Sequence, residues 1–298
     1  MTGESFSLTN FRGDSVAFDS TTGIYVYQHD GLGMPPVQRI TQEGPFQHGA
    51  TQLNARLQPR VVTLGLANLE SDTLTWAARD ALFAMLNDID NALYLDATRP
   101  DGTTRRLDVR YLDSLTMPRA AQHDGFDRYV LQFIAHDPVW YEQAAEVVTL
   151  DIAAGGEGLE LPMEIPFGLG GSVVDSSTWF TYAGNWVSYP IIKLTGPIED
   201  ALLYTWVRDG DPYIKLSFDG VTIAAGDYYE IDCRYGYKTV KDSAGTNKIG
   251  DLTSDSDLAE FGIYPYPQCS VAAFVLTGIG ATAATTCALT YYNRYVGF

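Results

Sequence analysis

The chain reads as a mainly β protein with one amphipathic helix. Three observations predict this. Charged residues make up only 19% of the 298, while aromatics reach 12% and glycines number 28, a balance suited to sheets and tight turns. Short runs of β-branched and aromatic residues recur, bounded by Gly, Pro, Asn and Asp. A single stretch, about residues 71–88, carries apolar residues at helical spacing. The length suggests two domains, and 46% hydrophobic residues suffice for a sizeable core.

The first half opens as a β-meander. Phe6-Leu8, Val16-Phe18 and Ile24-Tyr27 are short alternating runs, with Arg12-Gly13-Asp14 and Thr21-Thr22-Gly23 as turns between them. The RGD triplet is read as turn chemistry, because three residues recur often by chance. His29-Asp30-Gly31 reads as a further turn and Gly44–Gly49 as a glycine-bracketed loop. Pro59–Leu66 is a strand with Val61, Thr63 and the following odd positions on one face.

The helix over 71–88 takes Ser71 as its cap and Asp72 in its first turn. Leu74, Ala78, Ala81, Leu82, Met85 and Leu86 share its apolar side, which should pack on a sheet. Ala92-Leu95 and Arg105-Leu112 follow as strands joined by the Arg99–Gly102 turn. Arg105, Arg106 and Arg110 stand close together on the second, either as a solvated face or as an intersubunit contact.

Tyr129 to Ile134 is a strand stopped by Asp137-Pro138, because proline gives no N–H to a ladder. Trp140-Tyr141 follow at once. Asp137, Pro138, Trp140 and Tyr141 are therefore candidate anchors at a domain junction, with an ordinary strand end and a core tryptophan as the plainer reading. Composition also breaks here. All five lysines lie in the second half, and 11 of 14 arginines in the first. The expected division is 1–148 and 149–298.

Residues 149–187, rich in Gly, Ser and Thr, read as an irregular lead-in in which Trp179, Phe180 and Trp186 need burial. Strands then recur at Tyr189-Leu194, Leu202-Val207, Tyr213-Phe218, Tyr228-Cys233, Lys238-Val240, Phe261-Tyr264, Val271-Leu276 and Ala288-Tyr295, with Asp219-Gly220 and Gly226-Asp227 as turns. Many short strands with turn signals predict a β-sandwich.

Net charge is −18 and spread over both halves, which argues against gripping nucleic-acid backbones. Cys233, Cys269 and Cys287 are an odd, widely spaced set, read as reduced and mostly buried thiols. The opening residues show no signal peptide, and no run of about 18 apolar residues predicts a membrane span.

Signals for chemistry are weak. His29-Asp30, His123-Asp124 and His136-Asp137 are local pairs that could orient an imidazole, but all fall at expected turns or strand ends and no nucleophile elbow accompanies them. Gly168–Gly171 lacks the Lys-Ser/Thr ending of a phosphate loop. Asp251–Asp257 is acidic and hydroxyl-rich without calcium-loop spacing. No catalytic, cofactor or metal residue is assigned. Nineteen tyrosines leave sugar binding by the second half open, and 37 acids leave a glycosidase pair open without indicating which two.

The order of parts carries a resemblance. A β-meander, Gly44–Gly49 with His48-Gly49, the Pro59–Leu66 strand, one helix, the arginine-bearing strand and the terminal FIAHDPVWY resemble the N-terminal domain of siphophage distal tail proteins. That family's Phe-x-x-x-Asp-Pro-x-Trp-Tyr ending is matched by Phe133, Asp137, Pro138, Trp140 and Tyr141. Tyr189–Pro197, Tyr228–Asp232 and Asn293–Gly297 are similar to strands of its galectin-like domain. The usual Pro-Gly-x-Asn turn is replaced by Pro265-Tyr266-Pro267-Gln268, and 149–187 has no clear counterpart.

The resemblance implies a split β-barrel-like ring domain followed by a galectin-like sandwich. It implies a structural virion protein, not an enzyme, with no cofactor. Six copies would form a ring between tail-tube protein and the tail-tip hub or baseplate, and DNA would pass through it. Receptor-binding or other baseplate proteins are further possible partners. Sequence-specific nucleic-acid binding and membrane insertion are not expected. Reversing Arg105 and Arg106 to Glu should then weaken assembly and leave the fold intact. A sugar-binding adsorption module and a glycoside hydrolase are the alternatives.

Overall fold

The computed structural model describes residues 3–68, 72–87, 89–113, 115, 127–150, 173–205, 214–265 and 271–298. Expectations for Ser71, Met117-Pro118, His123–Gly125, Gly168–Gly171, Pro267-Gln268 and Cys269 lie outside them. The chain is mainly β, its paired strands are antiparallel, and the described residues include one α-helix. It divides into two compact units. The first comprises residues 1–143 and 295–298, the second 144–294. The last four residues thus return to the first unit.

The first unit holds β1 (Ser5–Thr9), β2 (Ser15–Ala17), β3 (Ile24–Asp30), β4 (Val37–Gln42), β5 (Thr51–Leu57), β6 (Arg60–Asn68), α1 (Asp72–Leu86), β7 (Leu93–Thr98), β8 (Thr104–Tyr111), β9 (Asp127–Ala135) and β10 (Trp140–Tyr141). Its main sheet runs β2-β1-β7-β8-β9-β6-β3, with β10 on β8. Among the described residues no pairing closes it into a barrel. Alternation directs Phe6, Leu8, Val62, Leu64, Leu66, Leu95, Leu107, Val109, Leu131 and Phe133 into one buried cluster. Every even position of β6 is buried, and toward its end Gly65 and Ala67 are buried as well.

Helix α1 adds Leu82, Met85 and Leu86 to this cluster. Ala81 is exposed, so the apolar stripe is narrower than its spacing suggests. His29 and Asp30 continue β3 instead of turning, and the turn falls on Gly31 at φ 84°. Only glycine fits there. A Cβ on Gly31 would meet the Val61 carbonyl oxygen at 2.0 Å.

Strands β4 and β5 form a separate two-stranded hairpin. Its sequence, VQRITQ and TQLNARL, lacks a buried alternating face, which is why the pattern gave no strand signal.

The second unit holds β11 (Glu146–Leu150), β12 (Val173–Thr181), β13 (Ile191–Thr195), β14 (Ile198–Thr205), β15 (Ile214–Ile223), β16 (Tyr228–Asp232), β17 (Thr239–Asp242), β18 (Val271–Ile279) and β19 (Thr286–Tyr291). They make two sheets, β11-β19-β13-β16-β17 and β12-β18-β14-β15. Ile192, Leu194, Ile231, Cys287 and Leu289 from one sheet share a core with Leu203, Leu216, Phe218, Phe274 and Leu276 from the other. This is a β-sandwich.

Several expectations change here. Asp219-Gly220 lies inside β15, not at a turn. The β14–β15 register shifts between Glu199 and Ala201, and Gly220 N–H donates to Asp200 Oδ1 at 2.7 Å, the signature of a bulge. Phe261–Tyr264 makes only an isolated bridge, Ser188 to Ile263. The lead-in contains a regular nine-residue strand, β12, paired along its length with β18. On it Trp179 is 66% exposed, against the expectation of burial.

Candidate functional site

The Asp137–Tyr141 segment folds as its sequence dictates. Strand β9 ends at Ala135, the chain bends, and Val139 N–H donates to Asp137 Oδ1 at 3.4 Å. Trp140 is fully buried in the first unit's core. Tyr141 hydroxyl donates to Asp108 across β8. Burial first, and the Asp108 carboxylate next, push that phenol above its ordinary pKa.

Trp140 also belongs to a clamp that the sequence did not reveal. The Arg60 guanidinium lies 5.7 Å from the Trp140 ring centre and is 1% exposed as a residue. It donates to the carbonyls of Gly31 at 3.1 Å, Leu32 at 3.0 Å and Val296. Phe298 N–H also donates to Leu32 O, at 3.0 Å, and the Phe298 ring sits 5.5 Å from Trp140 and 6.4 Å from Phe6. Burial draws Arg60 down to about 10, so it stays cationic at neutral pH.

Arg105 completes the clamp. It is buried, lies 3.6 Å over the Tyr295 ring and donates to Gly297 O at 2.6 Å. Arg99 lies 5.2 Å over Phe298. Arg106 makes a two-pronged ion pair with Asp96, at 2.7 and 2.8 Å, opposite it on β7. Arg110 donates to the Asp90 carbonyl in an exposed bond. Arg105 is thus not a solvated face, and a reversal at Arg105 and Arg106 is expected to disturb the fold together with any assembly contact. Three of the first half's eleven arginines, Arg60, Arg99 and Arg105, thus hold residues 295–298.

Of the histidine pairs, His29-Asp30 and His136-Asp137 are among the described residues, and neither sits in a catalytic constellation there. His29 Nε2 lies 2.9 Å from Glu4 Oε2, and His136 and Asp137 are exposed. The acidic Asp251–Asp257 run is engaged internally. Asp251 accepts from Tyr229 hydroxyl at 2.6 Å, Asp255 pairs with Lys215, and Asp257 accepts from Glu260 N–H at 3.0 Å. Among the described residues no group of three His, Cys, Asp or Glu could hold a metal ion. Among the described residues no helix is long and apolar enough to cross a membrane.

Two surfaces remain that no core explains. The first is the β4–β5 hairpin. Every residue from Val37 to Gln42 and from Thr51 to Arg56 is exposed, and Phe46 at its tip is 99% exposed. An isolated two-stranded hairpin is marginal in water. The second is aromatic, on the sandwich. Tyr235 and Tyr237 flank Gly236 in an exposed turn. Lys238 secures that turn by donating to the carbonyls of Leu258 at 3.0 Å and Ala259 at 2.7 Å.

No family model and no curated protein matches the chain by sequence. Among solved structures, the crystal structure of the SPP1 Dit protein aligns with 96% of this chain and 98% of its own, at a TM-score of 0.59 and 15% identity. The chain shares its fold. That protein is described as a paradigm of the hub adsorption apparatus of phages infecting Gram-positive bacteria. A chain of the phage P2 baseplate in its calcium-activated conformation aligns over 99% of both chains, at a TM-score of 0.48 and 13% identity.

Proposed function

We propose that this chain is a structural protein of a phage tail, a distal tail protein and not an enzyme. Six copies form a ring through the first unit. The ring joins the tail tube to the tip or baseplate, and DNA passes through its centre. The observation that carries this reading is the likeness to the SPP1 Dit hub protein, which runs through both units over nearly the full length of both chains.

Two features of the chain support it. The β4–β5 hairpin has no buried face of its own, as expected of an arm that packs on a neighbour. The −18 charge suits a conduit that must release DNA, not hold it. Arg110, with its exposed hydrogen bond, is the arginine of the β8 trio best placed to face another copy. Tail-tube protein and a tip hub or baseplate protein are its partners at the two ends of the ring. The test is co-assembly. The purified chain should cap tail tubes at one end, as seen by electron microscopy, and Arg110→Glu should weaken ring formation without lowering Tm. Failure to bind tubes would refute the reading.

A second reading, sugar binding during host adsorption, is favoured by the exposed Trp179, Tyr235 and Tyr237 rings on the sandwich. It predicts retention of the full chain on host cell-wall glycans and loss on Trp179→Ala. Equal binding by the variant would refute it.

A further inference from the structure

The ring reading leaves open which surfaces meet. Between the β1–β2 turn and α1 lies a groove of about 510 Å³, lined by Phe11, Arg12, Asp14, Ala84, Met85 and Ile89 among others. A second depression of about 560 Å³ shares Ala84 and Asn87 with it and extends along the helix. Its apolar rim is wet, with Ile89 72% exposed and Phe11 and Phe83 more than 40% exposed. We propose that the hairpin tip of one copy, with Phe46 as its knob, seats in the α1 groove of a second copy. This rests on the ring reading and names its contact.

Four observations point to that occupant. The hairpin needs support from outside its own subunit, because apart from half-buried Leu57 its strands are exposed on both faces. Phe46 at 99% exposure shows that the tip does not fill the groove of its own chain. Charge is complementary. Residues 37–57 carry Arg39 and Arg56 against Glu43, a net +1 on a chain of −18, whereas the groove carries Asp14 and Asp90 against Arg12, a net −1. Arg39 and Arg56 donate to the neutral Gln52 and Gln38, so their charges remain to be met. Finally, knob and groove are different patches of one subunit. Each copy can give its tip to the next and offer its groove to the previous one, the head-to-tail contact from which closed rings are built.

The test uses the full chain with Phe46→Cys and Ala84→Cys made separately, both at exposed positions. The two variants are mixed and treated with a short bismaleimide, with the unmodified chain setting the background from native cysteines. The mixture should give a cross-linked dimer that neither variant gives alone, and a chain carrying both changes should give a ladder ending at the ring. Phe46→Asp should weaken self-association about tenfold or more. Absence of the mixed cross-link above background overturns the proposal, as does equal cross-linking of Phe46→Cys with itself, which would mean a symmetric tip-to-tip contact. Light scattering on the same samples separates the two ideas. An assembled particle without the mixed cross-link rejects this contact and keeps the ring. A monomer without it, at the highest soluble concentration and with tail tubes present, rejects both.

Discussion

Arg60→Ala tests the clamp of the first unit directly. The guanidinium donates to three carbonyls, those of Gly31, Leu32 and Val296, and the bond to Leu32 is fully buried. A hydrogen bond to a charged group contributes about 1.5–3 kcal/mol, and a buried acceptor left unpaired costs about 1–3 kcal/mol. Two of the three acceptors are only part-buried and can recover water, so the sum is discounted to about 3–5 kcal/mol. For a unit of this size that is a fall in Tm of about 6–20 °C. Calorimetry of the full chain reads it as a shift of one transition. Arg60→Lys should recover little, because an ammonium on a flexible stem cannot span the same fork. Deleting residues 296–298 removes one acceptor and should be non-additive with Arg60→Ala by about 1 kcal/mol or more. A loss under about 1 kcal/mol, or strict additivity, would refute the clamp.

Other outcomes follow from single contacts. Gly31→Ala should destabilise by about 2 kcal/mol or more, since its Cβ meets backbone at 2.0 Å and φ is positive. Gly65→Ala should cost far less, because its Cβ meets only the half-exposed Tyr27 ring, which can swing aside; chemical denaturation of both variants checks the contrast. In the sandwich, burial raises the Asp232 carboxyl, but side-chain and backbone hydrogen bonds from Arg234 outweigh it and hold the pKa below the ordinary 3.8. The folded value lies below the unfolded one, so this contribution is complete above about pH 4 and is lost as pH falls through the folded value. Asp232→Asn should flatten that acid limb of a Tm-against-pH curve, and an unchanged limb would sink the assignment. Cys233 and Cys287 are buried, with burial pushing Cys233 up to about 12 and raising Cys287 further. Neither should react with a thiol reagent until the chain unfolds, and fast labelling of either in the native protein would contradict the core.

What the sequence shows depends on whether one face of an element is buried. Strands β1, β6, β7, β9 and β13 announce themselves because alternation places Leu, Val, Ile and Phe on a core face. The β4–β5 hairpin is exposed on both faces and carries no such signal, so the element proposed to make the ring contact is the least legible. Strand β12 hides because Asp175-Ser176-Ser177-Thr178 is polar, and its nine-residue pairing with β18 comes from tertiary context. The proline stop and the buried Trp140 are local and readable. The clamp joins Arg60 and Arg105 to residues more than 190 positions away, which no local pattern encodes. The arginine bias was visible, but composition alone cannot say whether a guanidinium holds a neighbour or its own chain.

The central claim is that this chain builds a ring, and the most direct measurement is its mass in solution by light scattering, with negative-stain images of the same sample. The account predicts a particle about six times the 32.7 kDa chain with a central channel. A monomer, or a two-fold dimer without a channel, persisting at the highest soluble concentration and in the presence of tail tubes would contradict it.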